Sequence, residues 1–592
     1  MNKVIMSGDE AVARGAYEGG CLVAAAYPGT PSTEILENMP QYPEIDSRWA
    51  SNEKVALEIA SGASIGGVRA LAAMKHVGLN VAADPLLTMA YIGSLGGLVV
   101  VTADDPGCHS SQNEQDNRLF APLAKILMLE PSDSQECLDF TKLGFELSER
   151  FDTPTLLRMT TRVCHSKGLV AQGARMAEAP VKPYERNGRK NAMLPAHARL
   201  RHLVVEDSLK AMEDYSNNCA VNRIEWGQGK SVGVITSGVS YLHAREVFGD
   251  TVSYLKLGLT HPLPRKLIST FARSVDKIYV IEEGEPYLET MVRALGFDCI
   301  GKERIPVTGE LDANIVRKAF LPDPGIQLYQ SELQAPPRPP VLCAGCPHRG
   351  FFHTLGKKKK EIVACGDIGC YTLGIQAPLE GLDTVVCMGG GFSVAIGMAA
   401  ALKKAGDPRK VFGMVGDSTF FHSGMTGLAD AVHANANICL CVLDNSITAM
   451  TGHQENPGTK TSLMGEPATS LDILKIIEGM GIAKDRVAVV DPLKQEDMVK
   501  AVDEAMAAEG LSIIVTKRPC VLIKEVRKSL EGRRCEVKED ACKRCKQCLK
   551  VGCPAISFVG TSKEGHSHID PSACVGCEFC LQVCKFDAIH RV

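Results

Sequence analysis

The chain has 592 residues, 45% hydrophobic and 23% charged, with a net charge of -4. This is ordinary globular composition, enough for about four domains at roughly 150 residues each, and it has no basic surplus that would make nucleic acid the main partner. The opening stretch carries Lys3, Asp9, Glu10 and Arg14 in place of an export signal, and the most apolar run, 92–101, is too short and glycine-rich to span a bilayer, so a cytoplasmic protein without a membrane partner is expected.

In chain order, residues 1–170 alternate apolar runs (21–27, 98–102, 126–129, 155–159) with helical stretches such as 53–63, which predicts a parallel sheet wrapped by helices. The turn Tyr27-Pro-Gly-Thr30-Pro-Ser32 follows the first strand and is stiffened by proline. A helix rich in small residues begins at Ser51-Asn-Glu53, with Glu58 one turn further on. A polar stretch, 104–118, ends in Arg118, which suits either a bidentate pair with a substrate carboxylate or a structural salt bridge.

Residues 171–229, polar and carrying Pro180, Pro183 and Pro195, are expected as a linker or surface excursion. A smaller α/β domain is expected over 230–333, with strands at 230–236 and 277–281 and a close near Pro322. The string Gln-Ala-Pro-Pro-Arg-Pro-Pro at 334–340 reads as a stiff connector. A second large α/β domain is expected over 341–530, with strands at 385–388, 411–415, 438–443 and 512–516.

The strand at 411–415 ends in Gly416-Asp417-Ser418, and the strand at 438–443 ends in Asp444-Asn445-Ser446. Polar residues at the carboxyl ends of neighbouring parallel strands lie where open α/β sheets bind ligands. An aspartate and an asparagine there suit Mg2+, and Gly416 lets the backbone approach a diphosphate. Two ordinary strand-end turns are the competing reading.

Of the 23 cysteines, nine fall between Cys535 and Cys584. In a chain without an export signal they read as metal ligands rather than disulfides. Cys542, Cys545, Cys548 and Cys553 form one set; Cys574, Cys577, Cys580 and Cys584 form the other. Zinc sites usually separate their cysteine pairs by a longer loop, whereas this close spacing suits 4Fe-4S clusters.

Residues 535–592 resemble a bacterial two-cluster ferredoxin domain. That resemblance implies one cluster on Cys542, Cys545, Cys548 and Cys584, and another on Cys574, Cys577, Cys580 and Cys553. Four residues instead of three separate Cys548 from Cys553, and Lys585 stands where proline is usual.

The Gly416-Asp417-Ser418 and Asn445 pattern resembles the thiamine diphosphate motif, and the turn at 27–32 resembles that of the 2-oxoacid:ferredoxin oxidoreductases. With the Cys343-Ala-Gly-Cys346-Pro-His-Arg-Gly string, the domain order and the fused tail, the chain is similar throughout to indolepyruvate-type alpha subunits of that family. The resemblance implies two thiamine diphosphate-type α/β domains, a transketolase-C-like domain and a ferredoxin domain. It makes Asp417 and Asn445 the side-chain ligands of Mg2+ and Ile447 a carbonyl ligand. Gly416, Ser418, Gly366 and Asp367 also belong to the cofactor site. It implies that Glu53, preferred over Glu58, serves the cofactor's aminopyrimidine, that Thr30 faces cofactor and substrate, and that Arg118 falls where relatives bind the substrate carboxylate.

Cys343, Cys346, Cys370 and Cys520 match the ligands of a further 4Fe-4S cluster in the wider family, which leaves two clusters or three. The implied reaction is oxidative decarboxylation of aryl 2-oxoacids with coenzyme A, giving aryl-acetyl-CoA and carbon dioxide and reducing ferredoxin. A beta subunit supplying a gamma-type domain, an α2β2 assembly, and Glu53 of one copy serving Asp417 of another are implied with it. Two other readings stand beside this one: a non-oxidative thiamine decarboxylase, and an electron-transfer subunit with a vestigial thiamine fold.

Overall fold

In the computed structural model, which describes residues 2–177, 179–321, 333, 336 and 338–592, the strands Ala70–Lys75 and Leu98–Asp104 are buried at every position. Only a sheet covered on both faces buries strands that way, and such sheets are parallel. The chain divides into two units, 1–330 with 463–465 and 331–462 with 466–592, each described here by itself.

The first unit contains β1 (Val23–Ala26), β2 (Asp46–Trp49), β3 (Ala70–Lys75), β4 (Leu98–Asp104), β5 (Leu127–Leu129), β6 (Thr155–Thr160), β7 (Arg223–Glu225), β8 (Val232–Ser237), β9 (Ser253–Leu257), β10 (Leu259–His261) and β11 (Lys277–Ile281). Its main sheet runs β10-β5-β6-β4-β3-β1-β2, parallel except for β10. Side chains alternate between the faces. Leu71, Ala73, Val99 and Val101 pack with helices Gly8–Glu18 and Ser134–Phe151, whereas Ala70, Ala72, Met74, Leu98 and Val100 pack with helices Glu53–Ile65 and Ala83–Ile92. A second sheet runs β11-β8-β9-β7, with β7 antiparallel.

The segment 171–229, read from its polarity as an excursion, holds a 24-residue helix, Pro195–Asn218. Only Val205, Met212 and Ser216 of that helix are buried. The stripe is too narrow to show as apolar periodicity. Residues 334, 335 and 337 of the proline string and the expected close near Pro322 lie outside the described residues.

The second unit contains β12 (Ile362–Gly366), β13 (Thr384–Val385), β14 (Lys410–Gly416), β15 (Cys439–Asp444), β16 (Val487–Val490) and β17 (Ser512–Lys517). They form one parallel sheet in the order β13-β12-β14-β15-β17-β16. From β12 the chain steps to β13 on one side and then crosses back to β14 on the other. That reversal opens a crevice at the carboxyl ends of β12 and β14. The tail adds two antiparallel pairs, Cys535–Val537 with Ile589–Arg591 and Ile556–Val559 with His566–Ile569. Among the described residues no helix is long and apolar enough to cross a membrane.

Candidate active site and metal centres

The crevice between β12 and β14 gathers the polar residues of the second unit. β14 and β15 pair as far as Gly416 and Leu443, so Asp417 and Asn445 emerge from adjoining strand ends. Both are buried, at 5% and 6% exposure. Burial, with Asp444 beside it, pushes the Asp417 carboxyl up to about 7. Asn456 donates to Asp417 Oδ2 at 3.1 Å, and among the described residues no basic side chain pairs with this carboxylate. A buried acid in that condition suits a cation.

Asn445 is oriented from both ends. Its Nδ2 donates to His348 Nε2 at 3.3 Å, and its Oδ1 accepts from the Ile447 backbone at 3.3 Å. His348 can accept because burial lowers its pKa to about 4 and keeps the ring neutral. Ser446 turns the chain here with φ at 65°. Ser418 Oγ accepts from Thr448 Oγ1 at 2.9 Å, which fixes the loop after β14 to the loop after β15.

Asp367, at the end of β12, accepts from the backbone of Gly389 at 2.7 Å and from the Tyr371 hydroxyl, and burial pushes its carboxyl up to about 7. The Tyr371 hydroxyl also lies 2.9 Å from Thr419 Oγ1 beyond β14. Gly416 is required: a Cβ there would come 2.7 Å from the Tyr371 ring. Gly389-Gly390-Gly391 opens the helix Gly391–Ala405 at the same end of the sheet. Backbone N–H groups at a bare helix start suit a diphosphate. The sequence reading overlooked this triplet and His348; a glycine run between a strand and a helix was the available signal.

Cys343, Cys346, Cys370 and Cys520 come from three loops of this unit. Burial raises the thiol pKa of Cys346, Cys370 and Cys520, and neighbouring cysteines of the group add to it; Cys370 reaches about 12. Cys520 N donates to the Asn445 carbonyl at 2.9 Å, which sets this group beside the Asp417 site.

In the tail, one cavity is lined by Cys553, Cys574, Cys577 and Cys580, with Cys535. A second is lined by Cys542, Cys545, Cys548 and Cys584. Each combines cysteines from both sequence sets. The Cys574 sulfur accepts from the backbones of Cys535 and Gly576, both at 3.4 Å, a contact that stabilises a cluster thiolate. The first cavity is also lined by Gly345 and Arg349. A Cβ on Gly345, whose φ is +73°, would come 2.4 Å from Val575 and 3.6 Å from the Cys577 Cβ. The Cys343–Cys346 loop and the Cys574–Cys577 loop are therefore in direct contact.

In the first unit, Glu53 opens its helix and is 5% exposed, whereas Glu58 is exposed and paired with Lys54. Gly78 packs against Glu53: a Cβ there would come 2.6 Å from Glu53 Cγ. The Thr30 turn is held by Gly29 N on Thr33 Oγ1 at 3.0 Å and by Ser32 Oγ on the Gly29 carbonyl at 2.9 Å. Lys75 ends β3 against this turn, with its Cβ 3.0 Å from where a Gly29 Cβ would stand. Its Nζ donates to the Ser110 carbonyl at 2.6 Å, and burial lowers its pKa to about 8. A lysine at the carboxyl end of a central parallel strand is a binding position by topology, and the sequence reading passed over it.

Arg118 is placed otherwise. It is 1% exposed, with Nη1 on Glu282 Oε2 at 2.7 Å, Nε on Asp116 Oδ1 at 2.9 Å, and Nη2 on the carbonyls of Glu283 and Glu285 at 2.8 and 2.9 Å. The Tyr287 ring stacks on it at 5.2 Å. Every nitrogen is engaged within the protein, so the geometry is that of the structural salt bridge rather than of a fork free for a substrate carboxylate.

Residues 14–221 match the thiamine diphosphate-binding domain of pyruvate flavodoxin/ferredoxin oxidoreductases, 367–516 the C-terminal TPP binding domain of thiamine pyrophosphate enzymes, and 567–590 the 4Fe-4S binding domain. The chain is 40% identical to the indolepyruvate oxidoreductase subunit IorA of Archaeoglobus fulgidus, over 99% of this chain and 97% of that one. It is 38% identical to the same subunit of Pyrococcus abyssi, over 100% and 97%. A solved 2-oxoglutarate:ferredoxin oxidoreductase from Magnetococcus marinus is 20% identical over 54% of this chain and 65% of its own, with a TM-score of 0.45, a likeness too loose to carry an argument.

Proposed function

Since this chain belongs to the indolepyruvate oxidoreductase IorA family, of thiamine diphosphate-dependent, iron–sulfur 2-oxoacid:ferredoxin oxidoreductases, we propose that it is the catalytic subunit of an arylpyruvate enzyme. An aryl 2-oxoacid such as indolepyruvate and coenzyme A are consumed. Aryl-acetyl-CoA and carbon dioxide are released, and two electrons pass singly to ferredoxin. A smaller beta subunit completes an α2β2 assembly.

Thiamine diphosphate, when bound, supplies the nucleophile and the electron sink. The chain's residues hold and poise it. Asp417, Asn445 and the Ile447 carbonyl take Mg2+, with His348 orienting Asn445. Gly416, Ser418, Gly366 and Asp367, with the N–H groups of Gly389-Gly390-Gly391, line the diphosphate seat. Glu53 exchanges a proton with the aminopyrimidine. Thr30 and Lys75, rather than Arg118, receive the substrate carboxylate. Iron–sulfur clusters, when bound, would carry the electrons outward: Cys343, Cys346, Cys370 and Cys520 would hold one, Cys553, Cys574, Cys577 and Cys580 a second, and Cys542, Cys545, Cys548 and Cys584 a third.

The observation carrying this reading is the buried Asp417 beside Asp444 and Asn445 at a topological switch point, short of positive charge. An anaerobic ferredoxin-reduction assay with a panel of 2-oxoacids, with and without coenzyme A, tests it. Coenzyme A-dependent reduction fastest with aryl substrates is expected. Free aldehyde without ferredoxin reduction would identify a non-oxidative decarboxylase instead.

A further inference from the structure

Three helices of the first unit converge behind the Thr30 turn. Asp9 lies in the first turn of Gly8–Glu18, Glu34 in Thr33–Glu37, and His165 at the end of Thr161–His165. One ligand atom from each falls within 4.8 Å of the other two, and His165 Nε2 stands 3.7 Å from Glu34 Oε2. Asp9 is wholly buried, and neither of its carboxylate oxygens nor Oε2 of Glu34 has a hydrogen-bond partner.

The packing allows Asp9 no retreat. A Cβ on its neighbour Gly8 would stand 2.1 Å from the Val163 carbonyl oxygen, so the helix start is pressed directly onto the turn that ends in His165. Burial and the nearby Glu34 raise the Asp9 carboxyl well above its ordinary range. Asp9 has no donor and Glu34 faces only His165, so the facing carboxyl groups call for either a shared proton or a cation. The donor set, two carboxylates and an imidazole, suits zinc, whereas magnesium favours oxygen alone. Tetrahedral zinc with bonds of about 2.0–2.1 Å sets its ligands about 3.3 Å apart. The His165–Glu34 pair at 3.7 Å needs only a few tenths of an ångström of closure, and the group as a whole, within 4.8 Å, at most about 1.5 Å. His165 is 40% exposed at its side chain, which leaves an entry path and room for a water as fourth ligand.

We propose that Asp9, Glu34 and His165 form a structural divalent-metal site of zinc type that fastens the Thr30 turn. The connection is short: Glu34 lies two residues beyond Ser32, which closes the Thr30 turn. An ion here would join the N-terminal helix, the 161–165 turn and the loop presenting Thr30.

The test uses the full-length protein purified anaerobically with its clusters in place, then loaded with zinc sulfate and freed of excess. Zinc content by mass spectrometry should be one equivalent higher in the wild type than in His165→Ala, a variant of a part-exposed residue. Zinc K-edge absorption should show nitrogen and oxygen ligands at about 2.0–2.1 Å. Added zinc should raise the thermal midpoint of the wild type and not of the variant. Equal zinc contents, or a sulfur shell at about 2.3 Å as cysteine binding would give, overturn the proposal. So does a zinc-free wild type whose carboxylic-acid infrared band disappears in Asp9→Asn, which would establish the shared proton.

Discussion

Arg349 Nη1 donates to the backbone carbonyl of Val551 at 3.0 Å, and Nη2 of the same guanidinium donates to the carbonyls of Leu342 and Cys343 at 2.5 and 2.8 Å. One buried cation thus ties the loop of Cys343 and Cys346 to the segment between Cys548 and Cys553. Arg349→Leu leaves the two buried carbonyls of Leu342 and Val551 without donors, at about 1–3 kcal/mol each. The expected result is a lower thermal midpoint, a tail released by limited proteolysis, and slower ferredoxin reduction with thiamine diphosphate binding retained. An unchanged digestion pattern would refute the role.

Arg118 and Arg349 are both buried cations, but Arg118 faces carboxylates. Arg118→Met strands Glu282 without its ion-pair partner and leaves Asp116 only Arg158, 3.7 Å away. Breaking a buried pair from one side costs about 3–5 kcal/mol. Chemical denaturation should show a loss of that order. A normal midpoint with a raised KM for the 2-oxoacid would return Arg118 to the substrate.

What the sequence disclosed divides along the same line. Ligand sets whose members lie a few residues apart, as in the cysteine tail and Gly416-Asp417-Ser418, carry their chemistry locally. Arg118 has one partner nearby, Asp116, but the partner that closes the pair, Glu282, lies 164 residues away, and an aspartate beside an arginine does not distinguish an ion pair from a binding site. β3, Ala-Leu-Ala-Ala-Met-Lys, uses strong helix formers and lacks β-branched residues. Its strand state follows only from burial on both faces, and Lys75 at its end went unnoticed with it. The Asp9, Glu34 and His165 group is equally nonlocal, assembled from positions spread over more than 150 residues.

Lys75 gives a pH signature. Burial holds its ammonium near pKa 8, so its charge is present below about pH 8 and lost as the pH rises through that value. If it receives the substrate carboxylate, KM for the 2-oxoacid rises above pH 8 while kcat changes less. In Lys75→Arg the rise should vanish, because guanidinium stays charged throughout. A flat wild-type KM between pH 7 and 9 would exclude Lys75 from binding.

Asp417 gives a signature of opposite sign. Its carboxyl is held up at about 7 in the folded chain against an ordinary 3.8. The folded state thus binds an extra proton between those values, and the stability this adds is complete below about pH 4 and lost as the pH rises through 7. Mg2+ needs the carboxylate, so loading releases a proton below pH 7. Affinity for magnesium thiamine diphosphate should climb up to about tenfold per pH unit towards 7 and then level off. Titration calorimetry from pH 6 to 8 measures this. Asp417→Asn should bind the cofactor weakly at every pH, and a wild-type affinity independent of pH would contradict the assignment.

The number of clusters can be counted chemically. Burial makes the thiols of Cys346, Cys370 and Cys520 resist losing their protons, and the neighbouring cysteines, Cys343 among them, add to that resistance. Four such thiols beside the Asp417 site gain most from an iron–sulfur cube, which takes them as thiolates and spreads their charge. The Cys343–Cys346 loop also abuts the Cys574–Cys577 loop through Gly345, so a cluster here would feed the tail directly. With three clusters the chain carries about 12 iron atoms, and Cys520→Ser should carry about 8. One set of reduced-cluster signals should disappear from the electron paramagnetic resonance spectrum, while the cysteines lining the two tail cavities keep theirs. Wild-type protein with about 8 iron atoms, unchanged in Cys520→Ser, would show that the four cysteines hold no cluster and that electrons reach the tail without one.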